Sequence, residues 1–253
     1  MENKDLRNKY NSVYKNDSKK FYSFSSFPES KLILEMLNHW NDLHVLEIGC
    51  GEGRLAAMMS FAGAKHIDAI DYSEEAIKIA QFQFSINNVN YQCGDYREFS
   101  DQYDVVVLQG VLEHLDNPFK ELKNIIDTCV GEGGCLVTSS PSFINPRGYV
   151  WMALQLLLDV PMSLSDLHFL CPFDFEQFAK KNDYALEYRS TDFDWASGER
   201  TIIDFNKRLR NALGDADMDN SKVDRFLEWF QKALPYHLHD ESSGTTIAYK
   251  LSR

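Results

Sequence analysis

This chain of 253 residues has no apolar run long enough to cross a membrane as a helix. Its first residues are charged and polar rather than an apolar leader, so no signal peptide is expected. Its five cysteines, Cys50, Cys93, Cys129, Cys135 and Cys171, show neither metal-ligand spacing nor an even count, and three lie on or beside predicted strands, where cysteine acts as a small apolar residue. A reducing, cytoplasmic setting is the expectation. Positive charge is also scarce: 26 Lys and Arg face 38 Asp and Glu, a net charge of −12, and the densest basic cluster, Lys207-Arg208-Arg210, sits among acids. That balance argues against a long phosphate backbone as ligand and against docking on anionic lipid. No internal repeat or low-complexity tract appears.

What is present is enough apolar residue, 44%, for a full core, and an alternation of strand-like and helix-like segments. Such alternation predicts a mostly parallel α/β sheet with helices on both faces. The densest information lies at His44-Val45-Leu46-Glu47-Ile48-Gly49-Cys50-Gly51-Glu52-Gly53-Arg54. An apolar strand runs into a turn with glycine at alternate positions, and a helix-forming run follows. Glycine serves where backbone bends sharply or approaches a ligand closely, and nucleotide-type ligands sit over such strand-to-helix turns. A second strand, Ile67 to Ile70, ends in Asp71, whose carboxylate can accept both hydroxyl protons of a ribose.

The spacing separates two cofactor classes. A dinucleotide fingerprint reads G-x-G-x-x-G, with glycines and a helix N-terminus serving a pyrophosphate. Here the third glycine comes one place early, at Gly53, and the acid Glu47 lies two residues before the first. An acid at the strand tip suits a cation and repels a pyrophosphate. S-adenosylmethionine carries an ammonium and a sulfonium and no phosphate. At this point the chain resembles the class I S-adenosylmethionine-dependent methyltransferases, whose first motif is E/D-x-G-x-G-x-G.

The resemblance continues in order. Asp71-Tyr72 matches the acid ending the second strand. Gly94-Asp95-Tyr96, after the strand Val89 to Cys93, matches the third-strand motif, in which an acid meets the adenine amino group. Tyr103 to Leu115 matches the fourth strand and its loop, and Gly133 to Thr138 the fifth. It covers residues 30–190 and implies a seven-stranded, mostly parallel Rossmann-like sheet with a helical insertion before the last strand. It also implies Glu47, Gly49, Cys50, Gly51, Asp71, Tyr72, Asp95, Tyr96 and Gln109 as cofactor-binding residues.

Residues 1–28 read as an arm, either mobile or folded over the site, with Tyr10, Tyr14, Phe21, Tyr22, Phe24 and Phe27, and residues 29–253 as the methyltransferase domain. Helices are expected over Ser30 to Trp40, with Ser30 near the cap, over Ser73 to Phe84, with Ser73 as cap, and over Asp174 to Lys181. Residues 139–173 read as a lid, with Trp151 to Leu158 its apolar run. Residues 198–240 read as two substrate-side helices with Phe226, Leu227, Trp229, Phe230 and Leu234 on one side, before a closing strand Thr245 to Leu251.

Methyl transfer is an in-line displacement, so alignment dominates, and an acceptor hydroxyl needs a base. His114, after the fourth strand, and His168, in Asp166-Leu167-His168-Phe169, are the candidates, with a carboxylate to fix the imidazole tautomer. The Glu113-His114 pair and later Asp-x-His-Phe also resemble metal-assisted sugar-hydroxyl methyltransferases, including those of small-RNA ends and, for the first half, of ubiquinone biosynthesis. Those place an acid where Gly110 stands here. Glu113, His114 and His168 would then hold a divalent metal with open positions. Alternatively His114 packs on the cofactor and His168 fixes the lid. Asn145, Arg147 and Tyr149 are the substrate candidates, Arg147 because a guanidinium forks onto planar anions, with loop anchoring as the other reading. His237 and His239 either bind a ligand or end a helix.

The fourth-strand tip, Leu108-Gln109-Gly110-Val111, lacks the Asn/Asp-Pro-Pro-aromatic run of enzymes that methylate base amino groups. With the acidic charge this predicts a small-molecule acceptor and no nucleic acid. The resemblance implies an O-methyltransferase acting on a sugar, glycan precursor or secondary metabolite. Small-molecule N-methylation and a non-catalytic S-adenosylmethionine-binding scaffold remain the alternatives, and a homodimer is left open.

Overall fold

A computed structural model describes residues 27–99, 101–160 and 167–253. Its seven strands are β1 (His44–Ile48), β2 (His66–Asp71), β3 (Val89–Cys93), β4 (Tyr103–Gln109), β5 (Val130–Pro141), β6 (Ala185–Thr191) and β7 (Thr246–Ser252). They form one sheet in the order β3-β2-β1-β4-β5-β7-β6. Pairing is parallel from β3 through β5, and β7 runs antiparallel to both β5 and β6. The central strands are continuous apolar runs, Val45-Leu46 and Val105 to Leu108, because helices cover both of their faces. β1 pairs with β4 from Val45↔Val105 to Ile48↔Leu108, so the chain leaves the sheet in opposite directions from neighbouring tips. That is where open α/β sheets leave a crevice.

One face is covered by α1 (Phe27–Glu35), α2 (Arg54–Phe61) and α3 (Glu74–Gln83), whose Leu32, Ile33, Leu55, Met59 and Ile77 join Val45, Val105 and Val137 in one core. The other is covered by α4 (Pro118–Cys129) and α6 (Pro172–Asn182), with Leu122, Ile125, Phe175 and Phe178 packed on Leu46, Val106 and Tyr249. A third core holds α5 (Pro146–Leu158), α8 (Glu199–Asp215) and α9 (Val223–Ala233) together through Trp151, Phe205, Leu209, Leu227 and Phe230. Its rings touch in sequence: Trp151 meets Phe205 edge-on at 5.4 Å, and Phe205 stacks on Phe230 at 5.6 Å. Each such pair adds about 1 kcal/mol beyond burial. A short helix, α7 (Phe193–Ser197), links β6 to α8.

Several details depart from expectation. α1 begins at Phe27 and stops at Glu35, five residues before Trp40, because the chain turns there and the Trp40 indole N–H donates to the Leu34 carbonyl. Ser30 therefore lies inside α1, not at its cap. Ser73 does cap α3, its hydroxyl accepting from the Ala76 N–H. Trp229 lies 62% exposed, off the face that buries Leu227 and Phe230. β6 gave little hydrophobic signal because it is an edge strand carrying Glu187 and Arg189 toward water. The aromatic arm expected over residues 1–28 lies outside the described residues up to residue 26, as do Asp166 and part of the lid. Among the described residues no helix is long and apolar enough to cross a membrane.

Candidate functional site

The turn from β1 into α2 is a run of left-handed backbone. Gly49, Gly51 and Gly53 have φ of 78°, 52° and 81°. Space is as tight as conformation: a Cβ on Gly49 would stand 2.6 Å from Val111 Cγ2, and one on Gly53 2.7 Å from the Tyr91 ring. The turn is pinned to β2 by Gly49 and Cys50 N–H groups, which both donate to the Ile70 carbonyl at 2.8 and 2.9 Å. It is also pinned to Asp71. One carboxylate oxygen accepts from Gly51 N–H at 2.9 Å and the other from Ser73 N–H at 2.8 Å. Asp71 thus fixes the glycine turn and the start of α3 together, and its carboxylate retains acceptor capacity for a ligand hydroxyl.

Glu47 lies beneath this turn, 2% exposed, with Oε2 buried and without a hydrogen-bond partner among the described residues. Burial, and then the nearby Asp71 carboxylate, push its carboxyl up to about 8, against the lowering effect of the Ala56 N–H in the first turn of α2. Burial also raises the Asp71 carboxyl, opposed by the N–H groups it accepts from. The Cys50 thiol is raised by burial and then by both acids. Two acids and a thiol lie together here, and among the described residues no cation enters the balance at Glu47 or Asp71. A bound cation would restore it; a pyrophosphate would worsen it. The residues therefore fit S-adenosylmethionine.

At the tip of β3, Asp95 caps the turn Tyr96–Glu98 through the Arg97 N–H, pairs with the Arg97 guanidinium and accepts from the Tyr72 hydroxyl at 2.9 Å. Burial works against ionisation, but these donors outweigh it and bring the carboxyl down to about 2. Tyr72 is 42% exposed beside it. Tyr96, expected in the cofactor set, turns the other way. Its ring is buried in the core under α4, and its hydroxyl donates to Glu121 at 2.6 Å.

At the tips of β4 and β5 the polar contacts are between side chains. Gln109 donates from Nε2 to Glu29 Oε2 at 3.1 Å and accepts from the Ser30 hydroxyl at 2.8 Å. Ser139 donates to Glu29 Oε1 at 2.8 Å. Glu29, in the first turn of α1, was not among the residues picked out by sequence reasoning. The arm expected over residues 1–28, mobile or folded over the site, stops one residue short of it.

Glu113 and His114 lie in the 3-10 turn Leu112–His114 that follows β4. The Glu113 carbonyl accepts from the Leu167 and His168 N–H groups at 2.8 and 3.2 Å, so the structure brings the two candidate loops together through main chain. The metal set expected at Glu113, His114 and His168 does not form. Among the described residues no three His, Cys, Asp or Glu side chains converge to hold an ion. The physical reasons are that Gly110, at φ 62°, supplies no donor, and that Glu113 meets His168 by its backbone.

Asn145, expected to touch an acceptor, is instead fully enclosed. Its amide caps α5 by accepting from Gly148 N–H at 2.8 Å and donates to the Ser142 and Gly244 carbonyls at 3.1 and 2.9 Å. The Arg147 guanidinium is paired with Asp204 of α8 at 3.0 Å, and burial lowers its pKa. Tyr149 is 54% exposed on the outer side of α5. His237 and His239 adjoin edge-on at 5.6 Å, with His239 Nε2 3.5 Å from the Ser197 hydroxyl.

Comparison with known proteins agrees with this geometry. A family profile described as a methyltransferase domain matches residues 18–188. A ubiquinone biosynthesis O-methyltransferase of Aeromonas salmonicida is 33% identical over 134 residues, 48% of this chain and 54% of that protein. A malonyl-[acyl-carrier protein] O-methyltransferase of Bacillus cereus is 30% identical over 97 residues, 37% of this chain and 36% of that protein. The chain thus spans about half or less of the curated relatives it matches. Among solved structures, a DhpI–SAM–HEP complex superposes with a TM-score of 0.60 at 14% identity, over 97% of this chain and 95% of the other. A putative methyltransferase in complex with the Trm112 activator of Haloferax volcanii gives 0.62 at 13%, over 96% of each chain. The profile covers well over half of the 253 residues, and the chain belongs to the S-adenosylmethionine-dependent class I methyltransferases.

Proposed function

We propose that this methyltransferase moves a methyl group from S-adenosylmethionine to a hydroxyl of a small polar metabolite, a sugar, glycan precursor or secondary metabolite. The observation that carries the cofactor half is the pair of acids, buried Glu47 and half-buried Asp71, beside the left-handed glycine turn with no cation to balance them among the described residues. The names of the curated relatives, both O-methyltransferases, support transfer to oxygen. The surplus of 38 acidic over 26 basic residues supports a small acceptor over a nucleic acid.

Glu47, Gly49, Cys50, Gly51, Asp71, Tyr72, Asp95 and Gln109 are the residues that would hold the cofactor. When bound, S-adenosylmethionine supplies a methyl group activated by a sulfonium, which leaves as a neutral thioether. Asp71 offers its remaining lone pairs to ribose hydroxyls, and Glu47 offers charge to the cationic end. The walls at Gln109 and Ser139 fix where an acceptor stands, and that alignment supplies most of the catalysis. His114 and His168 lie on two loops tied together at the Glu113 carbonyl, and in this reading one of them takes the acceptor's hydroxyl proton.

Calorimetry with S-adenosylmethionine and its demethylated product tests the cofactor half. Incubation with methyl-labelled cofactor and a metabolite extract tests transfer. Binding with label moved to a small product is expected. Binding without transfer to any pool would make the chain a cofactor-binding scaffold, and uptake of a nicotinamide or flavin compound instead would overturn the reading. Activity unchanged after chelation is expected, since among the described residues no donor set for a metal comes together.

A further inference from the structure

Glu29 is a half-buried acid that the cofactor half leaves unused. Its carboxyl stands at the tips of β4 and β5, fixed by one donor on each oxygen, Ser139 on one side and Gln109 on the other. Gln109 is itself oriented by Ser30, so the carboxyl is held in place by a chain of neutral groups. Burial raises its pKa, and the Asp192 carboxylate adds to that rise, while neutral hydrogen bonds oppose it. Among the described residues no Lys, Arg or His lies within ion-pairing distance of it. Arg200 acts on the neighbouring Asp192 and is paired with Asp194 at 3.1 Å. A half-buried carboxylate with no counter-charge among the described residues is costly, and such a group is a candidate for completion by a ligand. The tip of β4 adjoins the glycine turn through the Ile48↔Leu108 register, so this acid faces the acceptor side of the crevice rather than its ribose side.

We propose that Glu29 is a specificity-determining residue that binds a protonated amine on the acceptor, so that the substrate is an amine-bearing alcohol. This rests on the methyl-transfer reading above and adds the class of acceptor to it. The chemistry narrows the reacting atom. An ammonium held by a carboxylate has no lone pair to attack a methyl group, so it anchors the molecule, and a hydroxyl elsewhere on it is the nucleophile. Asp192 raises the negative potential on the same side, and the net charge of −12 favours the approach of a cation.

A binding test needs no turnover. A metabolite extract is split on a strong cation exchanger at neutral pH, and each fraction is added to protein loaded with S-adenosylhomocysteine, which has no methyl to give. The retained fraction is expected to raise the Tm of the wild type and not of Glu29→Gln, a variant of the same shape that still accepts from Ser139. With methyl-labelled cofactor, the label is expected in the retained fraction, and kcat/KM for the acceptor it contains is expected to fall about 100-fold in Glu29→Gln. Label or stabilisation found only with the unretained fraction overturns the assignment, as does an unchanged KM in the variant. Failure to bind S-adenosylhomocysteine at all would instead sink the methyltransferase reading. The variant's affinity for that product, expected to be unchanged, shows that it is folded.

Discussion

At the tips of β1 and β2 the acid Asp71 is held by main-chain N–H groups of residues 20 and 2 positions away. At the tips of β4 and β5 the acid Glu29 is held by side chains 80 and 110 positions away. The first arrangement is a property of two turns and survives any change of surroundings that leaves the turns intact. The second exists only because α1 packs across the sheet, and it can be rewritten by changing single side chains. A backbone cradle suits a ligand that stays the same, and a side-chain cradle suits one that differs from enzyme to enzyme.

Substitutions can break each half separately, and the largest effect is expected on the acceptor side. In His168→Ala the backbone N–H that holds the loop to Glu113 is retained, so the fold has no reason to change. If the imidazole takes the acceptor proton, turnover should fall about 100-fold or more with product affinity unchanged. Retained turnover would give His168 a structural role, and the same measurement on His114→Ala would then identify the base. On the cofactor side, Asp71→Ala removes two charge-assisted hydrogen bonds as well as the ribose acceptors. S-adenosylmethionine affinity should fall about 100-fold by calorimetry, and thermal stability with it, because Gly51 and Ser73 N–H groups lose their partner. Unchanged affinity would contradict the ribose assignment.

A third substitution separates a wall from its foundations. Asn145 spends its amide on three main-chain groups from two segments, Ser142 and Gly148 on one and Gly244 on the other. Asn145→Ala should cost about 2 kcal/mol in denaturant unfolding, through a lost cap and orphaned buried groups. Acceptor KM should hold. A raised KM with unchanged stability would restore Asn145 to the substrate face.

The same contrast explains what the sequence disclosed. The glycine turn, Asp71 and the Ser73 cap are local patterns whose meaning depends on a few neighbouring residues, so the order of amino acids alone reveals them. The mostly parallel sheet followed from the alternation of segments, its strand order did not, and the polar edge strand β6 was not located. The core position of the Tyr96 ring was not legible because a motif fixes the backbone at a position, not which side of the sheet its ring enters. Glu29 was invisible because nothing in Phe27-Pro28-Glu29-Ser30 reveals that Gln109 and Ser139 will meet it. Asn145 and Arg147 carry the residue types of a substrate site, yet their partners are Gly244 and Asp204, each far along the chain.

The smallest effect is a pH dependence, and it bears on why the cofactor half is built from unbalanced acids. Burial and Asp71 push the Glu47 carboxyl from its ordinary 4.5 up to about 8 in the free protein. Between those values the folded chain keeps a proton that the unfolded chain has lost. Stability of the free protein should therefore fall as pH rises through that window, by at most about 1.4 kcal/mol per unit. A cation bound at the site selects the ionised carboxyl, so S-adenosylmethionine affinity should run the opposite way. It should rise by up to about tenfold per unit toward pH 8 and level off above it, with protons released on binding. The neutral thioether product lacks the sulfonium charge and should show a weaker rise. Glu47→Gln should flatten both profiles. Equal slopes for cofactor and product in the wild type would mean that Glu47 answers to something other than the sulfonium, such as the ammonium that both molecules share.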